Sequence, residues 1–220
     1  MQKKTLGIGI RLGMILALSA SEGWSRDTPR ETLTVTISVF NEANVPAGTL
    51  VQAEQTASRI FQNSGISVKW VNCSSHAVDS QDGMRCRRVV FPDHLQVHIL
   101  QRPISLRESA LGISFLDADG RGCYADIFYG RVEKLYEGTQ LSPASILGHV
   151  VAHEIGHLLL GTNSHSAGGI MRALWQRGDL VRAGEGLVVF SGAESQRMRE
   201  KLSSGLMLRE APTVEARIGD

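Results

Sequence analysis

The sequence predicts an α+β domain with a sheet of four or five strands, a long helix, a second helix backing it, and a C-terminal helix. Three observations predict this. Five short stretches rich in alternating or β-branched residues fall between residues 32 and 132. Residues 143–160 carry helix signals at both ends. Strands cluster early and helices late, which is the α+β pattern and not the regular alternation of α/β folds. The chain has 220 residues, 42% hydrophobic and 20% charged, an ordinary globular composition for one domain with tails.

The elements follow in order. Residues 32–40 (Thr-Leu-Thr-Val-Thr-Ile-Ser-Val-Phe) alternate as a strand. Residues 47–64 place Leu50, Val51, Ala53, Ala57, Ile60 and Phe61 at near-helical spacing and stop before Gly65. Ile66 to Val71 reads as the second strand, and a polar loop occupies 73–88. His94 to Leu100, Gly112 to Leu116 and Tyr124 to Val132 read as the third, fourth and fifth strands. Ser142 is a good N-cap, Pro143 suits the first helical position, and Gly161 stands where a left-handed C-cap is wanted. Ser191 with Glu194 three residues on forms a capping box opening a last helix to about Ser203. Residues 205–220 have little periodicity and read as a flexible tail.

The N-terminus has a basic start (Lys3, Lys4), a short apolar segment and small residues after it, the pattern of a secretory signal peptide over residues 1–20. A linker, 21–31, then leads into the domain at 32–204. The expected address is secreted or periplasmic. Removing residues 1–20 takes away Lys3, Lys4 and Arg11 and no acid, which turns a balance of 23 basic and 22 acidic residues mildly acidic. That charge gives no electrostatic reason to bind nucleic acid. No apolar run reaches the length of a membrane span. Export permits disulfides among Cys73, Cys86 and Cys123; Cys73 and Cys86 flank one polar loop, but three pairings are open.

His153-Glu154-Ile155-Gly156-His157 is an H-E-x-x-H inside the long helix. Residues four apart lie on one helix face, so both imidazoles can share a metal ion. Glu154 is turned about 100° around the axis and reaches past the metal, as a general base for a metal-activated water would. A catalytic zinc site takes three protein ligands and keeps one position open. Beyond Gly161 the chain can fold back beneath the helix and bring His165 to the same ion. His149, one turn earlier on the same face, reads as a group lining the cleft or supporting the site. His94 and His98 read as structural, and Asp117-Ala-Asp119-Gly120 as a plain turn.

Here the sequence resembles the metzincin zinc peptidases, whose signature is H-E-x-x-H-x-x-G-x-x-H followed by a turn containing methionine. His153-Glu154-x-x-His157, the helix-ending Gly161, His165 and Met171 carry the resemblance. The element order adds to it across residues 32–204. The glycine falls one residue later than the family pattern and the third histidine two later, so strict counting puts Asn163 at the third-ligand position. The resemblance implies a zincin/metzincin-like fold with a twisted mixed sheet and a long active-site helix. It implies Zn2+ on His153, His157 and His165, with Met171 packed beneath the metal. It also implies a peptide or protein substrate pairing with an edge strand, here Gly112, Ile113, Ser114 and Phe115.

The function expected is an exported zinc metallopeptidase that hydrolyses peptide bonds by a zinc-activated water with Glu154 as general base. Two alternatives stand beside it. One is an exported zinc-binding domain without proteolytic activity. The other is a zincin whose third ligand is a downstream glutamate such as Glu185 or Glu194.

Overall fold

The first strand lies inside the sheet because both of its faces can be buried. In β1 (Leu33–Asn41) Val35, Ile37 and Val39 point into the core, and Ser38 on the opposite face is also fully buried. Two strands flank it in parallel: β2 (Ile66–Cys73) on one side and β3 (His94–Leu100) on the other. Next to β3 comes β5 (Tyr124–Phe128), also parallel, and outside it β4 (Gly112–Phe115), antiparallel. The order β2-β1-β3-β5-β4 makes a mixed five-stranded sheet with β4 at one edge. The structure is a computed structural model that describes residues 33–73, 81–102, 110–137 and 141–210. The signal peptide and linker expected at 1–31, and residues 211–220 of the expected tail, lie outside these residues.

Helix α1 (Ala47–Gln62) joins β1 to β2 and buries Ala53, Ala57, Ile60 and Phe61. After α2 (Gln81–Arg87) and α3 (Tyr129–Glu137) comes α4 (Pro143–Leu160), packed against α1, β4 and β5. Its bounds are those the sequence predicts. Ser142 Oγ accepts the Ser145 N–H at 3.1 Å, and Gly161 closes the helix at φ 67°, a left-handed conformation that glycine adopts without the Cβ clash. Ile155, Leu158 and Leu159 are fully buried, each contributing about 1.5–3 kcal/mol by leaving water. Two further helices follow, α5 (Arg177–Gly184) and α6 (Gly192–Glu210).

The structure departs from the sequence reading in four places. The fifth strand ends at Phe128, not Val132, because Tyr129 and Val132 are buried at a spacing of three and belong to α3. The supposed polar loop 73–88 contains α2, too short to be stable alone. It is tied down by a Cys73–Cys86 disulfide and by Gln96 Nε2 donating to the Cys86 carbonyl at 2.9 Å. Cys123 is left as a free thiol. A third departure is α5, whose start is held by the Gln176 N–H donating to Asp179 Oδ2 at 2.8 Å. Finally, α6 runs on to Glu210, past the predicted end near Ser203, with Met198 and Leu202 buried one turn apart.

Candidate metal centre and its cleft

The middle of α4 presents two imidazoles to one point. His153 is 9% exposed and His157 4%. His153 Nδ1 lies 2.7 Å from the Ile170 carbonyl, and His157 Nδ1 2.7 Å from the Thr162 carbonyl. A carbonyl only accepts, so each Nδ1 carries the ring hydrogen and each Nε2 presents a lone pair. Those two Nε2 atoms are 3.1 Å apart. With no hydrogen between them they repel, unless a cation shares them. Zinc–nitrogen bonds of about 2.0–2.1 Å in a tetrahedron place ligand nitrogens about 3.3 Å apart, close to the spacing seen. Burial pushes the His153 pKa down to about 4 and also lowers that of His157, which keeps both rings in the neutral form a metal needs.

His165 completes the group. Its ring stacks beside His153 with centroids 5.3 Å apart and stands edge-on to His157 at 4.8 Å. Among the described residues, His153, His157 and His165 are the cluster whose ligand atoms, all within 4.8 Å of one another, could hold a metal ion. Asn163 lines the same cleft. Glu185 sits at the C-terminal end of α5, in a separate groove. The Glu194 carboxylate is engaged elsewhere: Oε1 accepts the Ser166 hydroxyl and Oε2 accepts the Ser191 N–H at 2.7 Å.

Met171 is buried beneath the helix. A Cβ placed on Gly156, between the two histidines, would stand 2.7 Å from Met171 Sδ and 2.7 Å from Phe190 Cε1, so the chain passing below α4 fits only against glycine there. The turn is held by the Ser166 N–H to the Met171 carbonyl at 2.8 Å and by the Ile170 N–H to the Val189 carbonyl at 3.1 Å.

Glu154 is 5% exposed, and burial raises its pKa to about 7. Its Oε2 accepts the Ser114 hydroxyl at 2.6 Å, and Ser114 Oγ also lies 2.8 Å from the Glu154 carbonyl oxygen. The serine therefore turns its side chain toward the helix, a contact that strand periodicity alone does not reveal. Gly112 makes room for the carboxylate: a Cβ there would meet Glu154 Cγ at 2.7 Å.

A cleft of about 640 Å³ opens over these groups. Gly112, Ile113 and Ser114 of β4 form one wall, while Arg172, Ala173, Leu174 and Trp175 form the other. Phe115, the last of the expected strand residues, is not in the cleft. It is 47% exposed and packs edge-on against Tyr124 at 5.5 Å. Arg172 is neutralised by Asp179, Nη1 to Oδ2 at 3.1 Å.

His149 is not a wall of this cleft, contrary to one of the sequence expectations. It is buried, with Nδ1 2.7 Å from the Ser145 carbonyl, and Trp175 stands between it and the triad, its ring 6.0 Å from His149 and 6.2 Å from His153. His94 bonds Ser38 at 2.9 Å, and His98 is stacked on Phe40 with Nδ1 2.6 Å from Glu42 Oε1. Asp117 Oδ1 accepts the N–H groups of Asp119 and Arg121, closing a turn. Among the described residues, no helix is long and apolar enough to cross a membrane.

No family model matches the chain, and no curated protein matches it. Among solved structures, the chain is similar to a zinc-dependent peptidase from Methanocorpusculum labreanum, at 15% identity and a TM-score of 0.47, over 74% of this chain and 99% of that one. It is also similar to archaemetzincin from Methanopyrus kandleri, at 15% identity and a TM-score of 0.45, over 80% of this chain and 99% of that one.

Proposed function

We propose that this protein is a zinc metallopeptidase of the metzincin type, with His153, His157 and His165 as ligands and Glu154 as general base. The observation that carries the proposal is the pair of Nε2 lone pairs 3.1 Å apart, each fixed by a carbonyl on the far side of its ring. Histidine donors of this kind, with no thiolate, suit zinc. Zinc bound there would supply Lewis acidity, polarising a substrate carbonyl and activating water near neutral pH.

The chain's own residues do the rest. Glu154 accepts the proton of the attacking water and returns it to the leaving amine. Ser114 holds one carboxylate oxygen and leaves the other for the proton. On the sheet side, β4 offers an edge for an extended peptide, which the backbone of Gly112 and Ile113 orients above the triad. Leu174 and Trp175 cover the opposite side and limit water around the reacting groups. Export is part of the reading, supported by the pattern of residues 1–20 and by the Cys73–Cys86 disulfide, which belongs to an oxidising compartment.

Glu154→Gln tests the assignment. The variant should bind zinc as wild type does and cleave an unfolded protein substrate at least 100-fold more slowly. A wild type that binds zinc stoichiometrically but cleaves no peptide in a diverse library refutes peptidase activity and leaves a zinc-binding domain.

A further inference from the structure

Two of the three candidate ligands are held by the helix that carries them, and His165 lies on the loop beyond it. His153 and His157 project from α4, and their rings are locked by the carbonyls of Ile170 and Thr162. His165 sits on an exposed stretch between Gly161 and Gly169. Its neighbour helps fix that stretch. Ser166 is anchored twice, by its N–H to the Met171 carbonyl at 2.8 Å and by its hydroxyl to Glu194 Oε1.

Glu194 is a firm anchor. It is 3% exposed, stands on the first turn of α6, and its second oxygen accepts the Ser191 N–H at 2.7 Å. The same segment reaches under α4. Val189 accepts from Ile170, whose own carbonyl orients His153, and Phe190 packs at Gly156. One strap, residues 189–194, therefore supports the helical pair and the loop ligand together.

We infer that Glu194, acting through Ser166, is the positioning residue that holds His165 at the metal and so sets the affinity of the triad for zinc. The inference rests on the zinc reading above. Without the Ser166–Glu194 bond, the loop gains conformations that must be given up each time the metal binds. Partners that orient a metal ligand in this way typically change metal affinity 10–100-fold when removed.

The test is the zinc dissociation constant of purified protein, measured by competition with a chelator, alongside the visible spectrum of the Co2+-loaded protein and the Tm. Ser166→Ala should weaken zinc binding 10–100-fold and alter the cobalt spectrum, and Ser166→Thr, which keeps the hydroxyl, should stay within threefold of wild type. Glu194→Gln leaves one acceptor oxygen for two donors and should also weaken zinc binding. Ser191→Ala removes the hydroxyl that accepts the Glu194 N–H at 3.3 Å but leaves the strap intact; it should lower Tm while keeping zinc affinity within threefold. Unchanged zinc affinity in Ser166→Ala overturns the inference, as does equal weakening in Ser191→Ala. A wild-type chain that takes up no zinc overturns the metal reading itself, and this inference with it.

Discussion

Replacing Gly112 by alanine puts a methyl group where the structure has no room for one. The new Cβ would stand 2.7 Å from Glu154 Cγ, 2.8 Å from Glu154 Oε1 and 2.9 Å from the Asp126 carbonyl oxygen. Carbon atoms pack best at about 3.5–4.0 Å, so all three contacts are repulsive. Asp126 cannot retreat, because β5 is paired with β3 on one side and β4 on the other. Either the edge strand lifts from the sheet or the Glu154 side chain swings away from Ser114, breaking a 2.6 Å bond. Overpacking costs about 1–3 kcal/mol, and loss of a buried hydrogen bond to a carboxylate about 1.5–3 kcal/mol more if it goes unreplaced. Because the strand and the carboxylate can share the movement, a loss of about 2–4 kcal/mol follows, or roughly 5–15 °C in Tm for a domain of this size. Peptide cleavage should fall about 100-fold or more as the proposed base loses its direction, while zinc content stays at the wild-type level. The assays are a thermal melt, metal analysis and cleavage of an unfolded substrate. An alanine variant with wild-type Tm and wild-type cleavage would show that the Glu154 pocket is not built around Gly112.

The remaining predictions concern protons and metal. Burial holds His153 at about 4 against its ordinary 6.5, so between those values the unfolded chain takes up a proton that the folded chain refuses. The metal-free fold therefore loses stability as pH falls below about 6.5, by on the order of 2 kcal/mol from this ring by pH 5. Glu154, raised to about 7, works with the opposite sign, stabilising the metal-free fold as it gains its proton from pH 7 downward. Urea denaturation of metal-free Glu154→Gln removes this opposing carboxyl, and a stability loss from pH 7 to pH 5 no larger than that of Glu154→Gln combined with His153→Gln would contradict the histidine effect. Adding zinc at about 100 times its dissociation constant to chelator-treated protein should restore about 2.7 kcal/mol, or roughly 5–10 °C in Tm, whereas magnesium should restore none. An identical Tm in chelator and in zinc would count against a metal at the triad.

Much of the scaffold is legible in the chain because its signals are local. The bounds of α4 follow from Ser142, Pro143 and Gly161, each acting on its own turn. The β3 strand runs from His94 to Leu100 as its alternation predicts. The capping box of Ser191 and Glu194 forms as the sequence suggests. Misreadings arise where two local signals compete or where stability comes from afar. Tyr129 and Val132 carry on the strand-like residue types of Tyr124 to Phe128, yet Val132 and Leu135 pack at the core at helical spacing. Helix α2 depends on the Cys73–Cys86 bond, and the chain alone left three pairings open.

The amino-acid order by itself determined which groups share a helix face: His153 and His157, one turn apart, with Glu154 rotated off their line. Helix geometry is a property of a few consecutive residues, so that relation survives any packing. Which group comes to stand beside the pair was decided by the tertiary structure, since His165 and Glu194 were both within reach of a folded-back chain. Packing of Phe190 and Met171 under Gly156 brings the strap past the loop, turns Glu194 onto Ser166, and leaves His165 facing the two lone pairs. The direction of those lone pairs was also decided there, by the carbonyls of Ile170 and Thr162, which lie outside the helix and acquire their positions only when the chain closes on itself.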